Sequence, residues 1–351
     1  MFEIRSRTPT NDGILSAIGN TPLVRLSRVL GETHFQLYGK LEMLNPGGSV
    51  KDRTAISILR NALENGEIRR GSVVVESSSG NMGVGLAQAC SMLGLKFICV
   101  VDPKTTEQNL RIIRAYGAEI SHIYDPDEVT GEYLQARINR VKELLHTTDN
   151  SFWPNQYANA YNPRAHHQTL REIVNALDGK VDYLFCAIST CGTMRGCSEY
   201  VRENHLNIKI MAVDAVGSVI FGGGKAKRLI PGHGAAVIPS LFQPGLAHEA
   251  IHVKDVDCVI GCHRLAEREA ILAGGSSGAV IRAVEMVQHR IERDAVCVAI
   301  LPDRGERYLD TIYSAEWVRE HFGNIKQQEL ALDVEQLTTL SSKLRAARER
   351  I

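Results

Sequence analysis

Short apolar runs rich in β-branched residues alternate along the chain with segments of helical periodicity. Runs of strand length occupy 73–75, 97–101, 183–188, 208–213 and 296–301, and helical periodicity is clear at 54–65, 84–93, 108–116 and 278–291. Strands that lack polar alternation are typically buried on both faces of a sheet. The pattern therefore predicts an α/β fold built on open, doubly wound, mostly parallel sheets.

The length of 351 residues accommodates two domains of ordinary size. A polar, turn-rich stretch at 147–154 follows two strand–helix units and marks the expected boundary. We expect a small lobe at 44–150 and a large lobe formed by 1–43 together with 151–325. Leucines spaced along 326–351 predict an amphipathic helical tail.

Charge and composition exclude several classes of protein. The 40 basic residues balance the 40 acidic ones without a long basic run, which argues against nucleic-acid or anionic-membrane partners. The first 20 residues lack the apolar stretch of a signal peptide, and no uncharged apolar run reaches the roughly 18 residues of a membrane span. We therefore expect a cytoplasmic protein whose partners are small molecules.

The eight cysteines are scattered, and several lie inside apolar runs. There they behave as small hydrophobic side chains, so reduced thiols are expected. Cys258, Cys262 and His263 lack a second matching pair of ligands, and no metal site is predicted.

The most informative stretch is the turn at 45–50, with the sequence NPGGSV, which leads into a helix containing Lys51. Ser49 and Asp52 have the spacing of a capping box, which would hold Lys51 rigidly at the helix start. The positive helix end and neighbouring Arg53 would lower the pKa of Lys51 and favour the neutral amine that Schiff-base chemistry needs. Taken alone, the position is more simply explained by an ordinary exposed lysine.

A second loop, 76–83 with the sequence ESSSGNMG, follows the predicted strand at 73–75 and precedes a helix. Its hydroxyl and backbone N–H groups would point out of the carboxyl edge of the sheet and suit a carboxylate. The same cluster also fits a plain strand-to-helix turn.

Two further loops of small residues precede helices. The first consists of Ser189, Thr190, Cys191, Gly192 and Thr193. Successive N–H groups would close around a phosphate there at the positive helix end, although many α/β turns share this pattern. The second, 273–279, places Ser276 where its hydroxyl would meet a pyridine nitrogen, cap the helix, or do both.

In this order, the motifs PGGSVKDR, SGN, the small-residue loop and GGSSG resemble those of the fold-type II pyridoxal-phosphate (PLP) enzymes. This is the family of cysteine synthase and cystathionine β-synthase, with the fold of tryptophan synthase β. The resemblance runs from about 18 to 308. It implies a large lobe that binds PLP, a small mobile lobe that binds substrate, and a homodimer.

The resemblance also assigns cofactor roles. It implies that Lys51 carries PLP as a Schiff base and shuttles the substrate proton, and that Asn81 is the partner of the phenolic oxygen. It implies that the loop from Ser189 to Thr193 binds the phosphate and that Ser276 meets the pyridine nitrogen. Because a neutral serine makes the ring a weaker electron sink than an aspartate would, expulsion of a β-substituent is favoured over transamination.

Less widely shared motifs resemble those of one subgroup of this family. They are VDPK at 101–104, NQYAN at 155–159, VDA at 213–215, GSVIFG at 217–222 and ILPDRG at 300–305. That subgroup joins O-phospho-L-serine and L-glutamate to N-(2-amino-2-carboxyethyl)-L-glutamate, the first step towards L-2,3-diaminopropionate in siderophore biosynthesis. Ser189 and Cys191 replace two glycines of cysteine synthase, which would suit a larger nucleophile than sulfide. His233 interrupts an expected glycine-rich stretch and has no assigned role.

For the substrates, the resemblance implies three carboxylate-binding residues, which are Ser78, Ser79 and Gln156. Phosphate as a leaving group needs a cation in a closing cleft. Arg137 is the first candidate and Arg53 the second, each with a surface or structural role as the alternative. Tyr157 would gate the cleft or contact glutamate, unless it simply packs.

Two other functions are compatible with the sequence. The chain would be a cysteine synthase or a cystathionine β-synthase-like enzyme if sulfide or homocysteine replaced glutamate. A non-catalytic binding protein would retain the fold, but the presence of both Lys51 and Asn81 argues against it.

Overall fold

The computed structural model describes residues 13–78, 80–103, 105–131, 133–325 and 327. Within them, the strands are β1 (Leu23–Arg25), β2 (Gln36–Leu41), β3 (Val73–Glu76), β4 (Lys96–Val101), β5 (Glu119–His122), β6 (Ser151–Phe152), β7 (Tyr183–Ala187), β8 (Lys209–Ala215), β9 (Glu249–Val253) and β10 (Val296–Leu301). The helices are α1 (Lys51–Glu64), α2 (Asn81–Leu93), α3 (Glu107–Ala115), α4 (Tyr133–Thr147), α5 (Tyr161–Ala176), α6 (Gly192–Glu203), α7 (Asp255–Glu269), α8 (Gly275–Val287) and α9 (Ala315–Phe322). The tail predicted at 326–351 lies outside the described residues apart from Gln327.

The strands form two sheets. One has six strands in the order β1-β2-β10-β7-β8-β9, and the other has four in the order β5-β4-β3-β6. Only the β1–β2 pair is antiparallel among the described strand pairs. The predicted α/β class with mostly parallel sheets is confirmed. Strand β6 joins the smaller sheet although it lies just past residue 150, where the sequence predicts the boundary between lobes.

The five predicted strands correspond to β3, β4, β7, β8 and β10, and they are the strands with the most continuous burial. In β10, every residue after Val296 is buried, and in β8 every residue after Lys209 is buried. Helices pack on the apolar faces of these strands. The sequence pattern therefore identified the centres of both sheets.

Helix α8 packs against strands β10, β7 and β9 of the larger sheet. All of its residues except Met286 are buried, as expected for a helix that is apolar on every side. Its buried charges are neutralised locally, because Arg282 contacts Asp257 at 3.1 Å and also pairs with Glu285. The first turn of α8, which contains Ser276, is consequently held in a rigid environment.

The eight cysteines are all buried and form no disulfide with one another. Cys262 donates a hydrogen bond to the carbonyl of Gly274, 3.3 Å away, and His263 bonds the carbonyl of Ile312 at 2.9 Å. Both residues therefore have hydrogen-bond partners within the fold and take part in its packing. None of the described helices combines the length and the apolar character needed to cross a bilayer.

Candidate active site

Three segments meet beyond the end of β10. The backbone N–H of Val50 donates to the carbonyl of Pro302 at 2.8 Å, and that of Arg304 donates to Gly48 at 3.2 Å. The N–H of Gly274 donates to the carbonyl of Asp303 at 3.0 Å. The segment after β10 thus ties the turn before Lys51 to the turn before α8.

Lys51 is the first residue of α1 and is partly buried. Burial lowers the pKa of its amine, while the charges of Asp303 and Cys191 partly oppose that shift. The sequence correctly anticipates a lowered pKa but assigns the wrong cause, because the dominant effect is loss of hydration rather than Arg53 or the helix end. The arrangement favours a neutral, nucleophilic amine.

The capping box predicted between Ser49 and Asp52 is wrong. The cap position is Val50, and the Ser49 hydroxyl accepts from the Lys51 N–H at 3.2 Å. Asp52 instead accepts from the N–H of Gly47 at 2.5 Å. A Cβ on Gly47 would lie 2.6 Å from the Asp52 carboxylate, so the turn requires glycine there.

Asn81 begins α2 and faces a group of side chains that the sequence did not single out. Its Nδ2 donates to Asp303 Oδ2 at 2.7 Å, and its Oδ1 accepts from Arg307. Tyr308 donates to the same Asp303 oxygen at 2.5 Å. Lys51, Asn81, Cys191 and Asp303 are called the inner site below.

The loop from Ser189 to Thr193 leads from β7 into α6, as predicted. Cys191 is the N-cap residue and has a left-handed backbone with φ 67°. Gly192 is required next to it, because a Cβ there would meet the Asn162 side chain at 2.1 Å. The open N-terminus of this twelve-residue helix carries partial positive charge.

Hydrogen-bonding neighbours fix the hydroxyl groups of Thr190 and Thr193. The Thr190 hydroxyl accepts from the Gly192 N–H at 3.3 Å, and the Thr193 hydroxyl lies 3.3 Å from Nε2 of His166. Burial holds the pKa of His166 well below its usual range, so this imidazole is neutral. The loop therefore combines small residues, buried hydroxyl groups and a helix N-terminus.

Ser276 lies in the first turn of α8 with 7% of its surface exposed. The cap position is Gly274 and makes no side-chain hydrogen bond, so a serine does not cap this helix. The neighbouring Ser277 hydroxyl is buried and has no partner among the described residues. Two hydroxyl groups consequently remain at this helix start that the helix itself does not use.

The predicted carboxylate-binding residues lie beside the inner site. Ser78 and Gln156 are both buried, and Ser79 lies outside the described residues. The Gln156 N–H donates to Glu76 Oε2 at 3.3 Å, and Trp153 donates to the other oxygen of Glu76 at 3.0 Å. Glu76 thereby ties the end of β3 to the chain after β6, which brings Ser78 and Gln156 to one region.

A second group, called the outer site below, consists of Arg137, Tyr157, Ser189 and Arg228. Burial of the hydroxyl end raises the pKa of the Tyr157 phenol although 38% of the residue surface is exposed, while both arginines and a hydrogen bond with Ser189 lower it. Arg137 lies 3.3 Å from Asp102, and its Nε is buried without a partner among the described residues. Arg228 donates to the carbonyl of His233 at 2.8 Å, and its Nε is likewise buried and unpaired within the described chain.

Arg53 does not belong to either group. Its guanidinium bonds Glu42 and Glu172 at 2.7 Å each, and its side chain is 3% exposed. Pairing with Arg53 lowers the pKa of Glu172 to about 2. Arg53 is therefore not free to bind a substrate phosphate, and it borders a separate cavity of about 450 Å³ between α1, α5 and α6.

His233, unassigned by the sequence, is fully buried. Its Nε2 lies 3.2 Å from the carbonyl of Val213, and burial lowers its pKa to about 4. The next residue, Gly234, donates to the carbonyl of Ile188 at 2.7 Å. A neutral His233 thus fixes the loop that carries Arg228 against the end of β7.

The chain matches the family model described as "Pyridoxal-phosphate dependent enzyme" over residues 14–303. It is similar to an O-ureido-L-serine synthase, with 30% identity, a TM-score of 0.81, and coverage of 88% of this chain and 96% of that one.

Two further solved structures have comparable similarity. A cysteine synthase from Entamoeba histolytica is 32% identical, with a TM-score of 0.82 and coverage of 89% of this chain and 94% of that one. An O-acetylserine dependent cystathionine β-synthase from Helicobacter pylori is 30% identical, with a TM-score of 0.80 and coverage of 88% and 100%. The similarity therefore covers both sheets and the inner site.

Proposed function

We propose, from the premise that the chain belongs to the family of pyridoxal-phosphate dependent enzymes, that it joins O-phospho-L-serine to L-glutamate. The bond between the β-carbon and the phosphate oxygen breaks, and the glutamate amine forms a C–N bond to the same carbon. The amine proton leaves with the phosphate. The product is N-[(2S)-2-amino-2-carboxyethyl]-L-glutamate, which we propose is converted to L-2,3-diaminopropionate for a siderophore.

The inner site suits PLP, the cofactor of this family. A neutral amine on Lys51 is what the cofactor aldehyde requires, and burial favours it. The start of α6 offers N–H groups for the phosphate, and Ser276 offers a neutral hydroxyl for the pyridine nitrogen. Asn81 retains a second amide hydrogen for the phenolic oxygen, because only one is used by Asp303.

Bound PLP supplies the electron sink that acidifies the substrate α-carbon and allows its β-substituent to leave. Lys51 removes the α-proton, which its buried and readily neutral amine makes favourable. Ser78, Ser79 and Gln156 hold the α-carboxylate in the orientation that places the α-proton towards this amine. The lobe at 44–150 would close over the substrate.

The observation that carries the choice of substrates is the pair of arginines whose charges reach Tyr157. The positive charges of Arg137 and Arg228 both lower the pKa of the Tyr157 phenol. Each arginine also has a buried Nε for which the described residues provide no hydrogen-bond acceptor. O-phospho-L-serine carries a phosphate, and L-glutamate carries two carboxylates. These anionic groups need cations when water is excluded from the site. Arg137 is assigned to the phosphate, and Tyr157 with Ser189 to glutamate.

A second candidate is the use of sulfide or homocysteine as nucleophile, with O-phosphoserine or O-acetylserine as the donor. The similarity to a cysteine synthase and to an O-acetylserine dependent cystathionine β-synthase favours it. Both reactions need the same inner site, so the outer site decides between them. For either function we propose a cytoplasmic homodimer, as the family resemblance implies.

Competition between nucleophiles tests the proposal. O-phospho-L-serine is offered together with equal concentrations of glutamate, sulfide and homocysteine, and the products are quantified by mass spectrometry. We expect the glutamate adduct to dominate. Cysteine or cystathionine as the main product would replace the proposed function with the second candidate.

The role of Arg137 is tested by Arg137→Ala, with Arg140→Ala on the same helix as the control. Arg140 contacts Glu143 at 2.6 Å near the surface. We expect Arg137→Ala to raise KM for O-phospho-L-serine by about 10- to 100-fold, which corresponds to one charge-assisted contact. Unchanged use of O-phosphoserine would remove Arg137 from this role.

A further inference from the structure

Asp303 is the most constrained carboxylate near Lys51. Its side chain is buried, with 1% of the residue surface exposed, and its Oδ2 accepts from both Asn81 and Tyr308. Its Oδ1 is buried without a partner among the described residues. A carboxylate in this environment is costly unless it is fixed by donors and cations.

The amide of Asn81 is held at both ends. Nδ2 donates to Asp303, and Oδ1 accepts from Nη1 of Arg307. Nη2 of Arg307 also donates to the carbonyl of Gly47, in the turn that precedes Lys51. A planar amide with an acceptor at one end and a donor at the other cannot rotate by half a turn without losing both bonds. The remaining Nδ2 hydrogen therefore has one direction.

The charged and titratable groups around Asp303 come from several elements. They belong to Lys51 on α1, Cys262 on α7, and Arg307, Tyr308 and Tyr313 after β10. Burial raises the pKa of Asp303, whereas the donors Tyr308 and Asn81 and the cations Arg307 and Lys51 lower it. Asp303 also forms an isolated β-bridge with Ser49, two residues before Lys51, so its carboxylate lies close enough for its charge to act on the Lys51 amine. It is coupled to Asn81 by a hydrogen bond.

We propose that Asp303 and Arg307 are positioning residues, which clamp the Asn81 amide so that its second Nδ2 hydrogen meets the phenolic oxygen of PLP. Asp303 also favours the protonated form of the nitrogen through which Lys51 holds the cofactor. This inference rests on the proposed cofactor roles of Lys51 and Asn81. It is independent of which nucleophile the enzyme uses.

The first test is a pH titration of the visible absorption band of the holoenzyme. Asp303→Asn removes one negative charge at nearly constant volume, so the nitrogen should lose its proton more easily. We expect the midpoint to fall by about one pH unit. The control is Asp257→Asn, which removes a similarly buried carboxylate that pairs with Arg282 in α7 and α8. An unchanged midpoint in Asp303→Asn would overturn the electrostatic role.

The second test is a double-mutant cycle on the dissociation constant for PLP. Asp303→Asn should weaken PLP binding about 10-fold when Asn81 is present and less than about 2-fold in the Asn81→Ala background. Equal weakening in both backgrounds would overturn the clamp, because Asp303 would then act without Asn81. Arg307→Met tests the same amide from its other end and should show the same dependence on Asn81, whether or not Asp303→Asn folds.

Neither measurement requires a second substrate. If sulfide replaced glutamate in the competition experiment, the proposed function would fail while both results here kept their meaning. Conversely, an unshifted midpoint with equal weakening in both backgrounds would remove the clamp and leave the glutamate reaction intact.

Discussion

The inner and outer sites share one loop, because Cys191 belongs to the inner site and Ser189 to the outer site, yet the two sites are built differently. The inner site is fixed by backbone hydrogen bonds and by buried side chains such as Asp303, which is 1% exposed. The outer site assembles side chains from α4, from the chain after β6 and from the loop that carries Arg228, and its Tyr157 is 38% exposed. The residues that we assign to cofactor binding and proton transfer are therefore held rigidly by the fold. The residues that we assign to substrate choice come from three separate segments, and Tyr157 among them is partly exposed.

The largest effect is expected at Lys51. Lys51→Ala should reduce product formation by about 1,000-fold or more, because both cofactor attachment and proton removal depend on this amine. The measurement is initial rate, together with borohydride reduction followed by peptide mass spectrometry. The control is Lys96→Ala, which removes an exposed lysine at the start of β4. A pyridoxyl adduct on another lysine of the native protein would contradict the assignment.

Arg53 and Arg137 can be compared directly, because the same type of side chain has different partners at the two positions. Arg53→Met should lower the free energy of unfolding by about 3–5 kcal/mol, because it leaves the buried Glu42 without a cation and leaves Glu172 paired with Lys40 alone. Urea unfolding measures this, and Arg60→Met, exposed on the same helix, is the control. A stable Arg53→Met protein with a raised KM for O-phosphoserine would return Arg53 to the substrate role.

This contrast also explains what the sequence could predict. The five buried strands have strong apolar signals, whereas β1, β5 and β6 are short or partly exposed, and no pattern of that length is distinctive. The family motifs identified the loops around Lys51 because each motif is contiguous. Glu172 lies 119 positions from Arg53, so no local pattern reveals their pairing. Asp303 lies in a motif that was noticed, but its contact with Asn81 spans 222 positions.

The predicted capping box failed for a related reason. The spacing of Ser49 and Asp52 is correct for that motif, but the N–H of Gly47 competes for the carboxylate and obtains it at 2.5 Å. Spacing alone cannot show which of two nearby donors a carboxylate will accept from. The turn is instead stabilised by the hydrogen bond from the Gly47 N–H to the Asp52 carboxylate.

The burial of Asp52 predicts a pH dependence of stability. Burial raises the pKa of Asp52 to about 7, well above its unfolded value of 3.8. The folded state therefore binds a proton that the unfolded state lacks, and this contribution is full below about pH 4 and is lost as pH rises through 7. Between pH 6 and 8, unfolding free energy should fall by about 1.5 kcal/mol more in the native protein than in Asp52→Asn. Urea unfolding at pH 6, 7 and 8 measures the difference, and parallel curves would contradict it.

The smallest effect concerns Cys191, where the inner and outer sites meet. Its left-handed backbone, φ 67°, favours glycine over any residue with a Cβ. Cys191→Gly should therefore be more stable than Cys191→Ala by about 1 kcal/mol, since both variants lose the thiol and differ only in the Cβ. At Cys197, inside α6, the order should reverse by about the same amount, because glycine disfavours helix interiors. Thermal unfolding of the four variants measures both differences. The same order at both positions would mean that contacts of the buried side chains, rather than backbone geometry, determine stability at the loop.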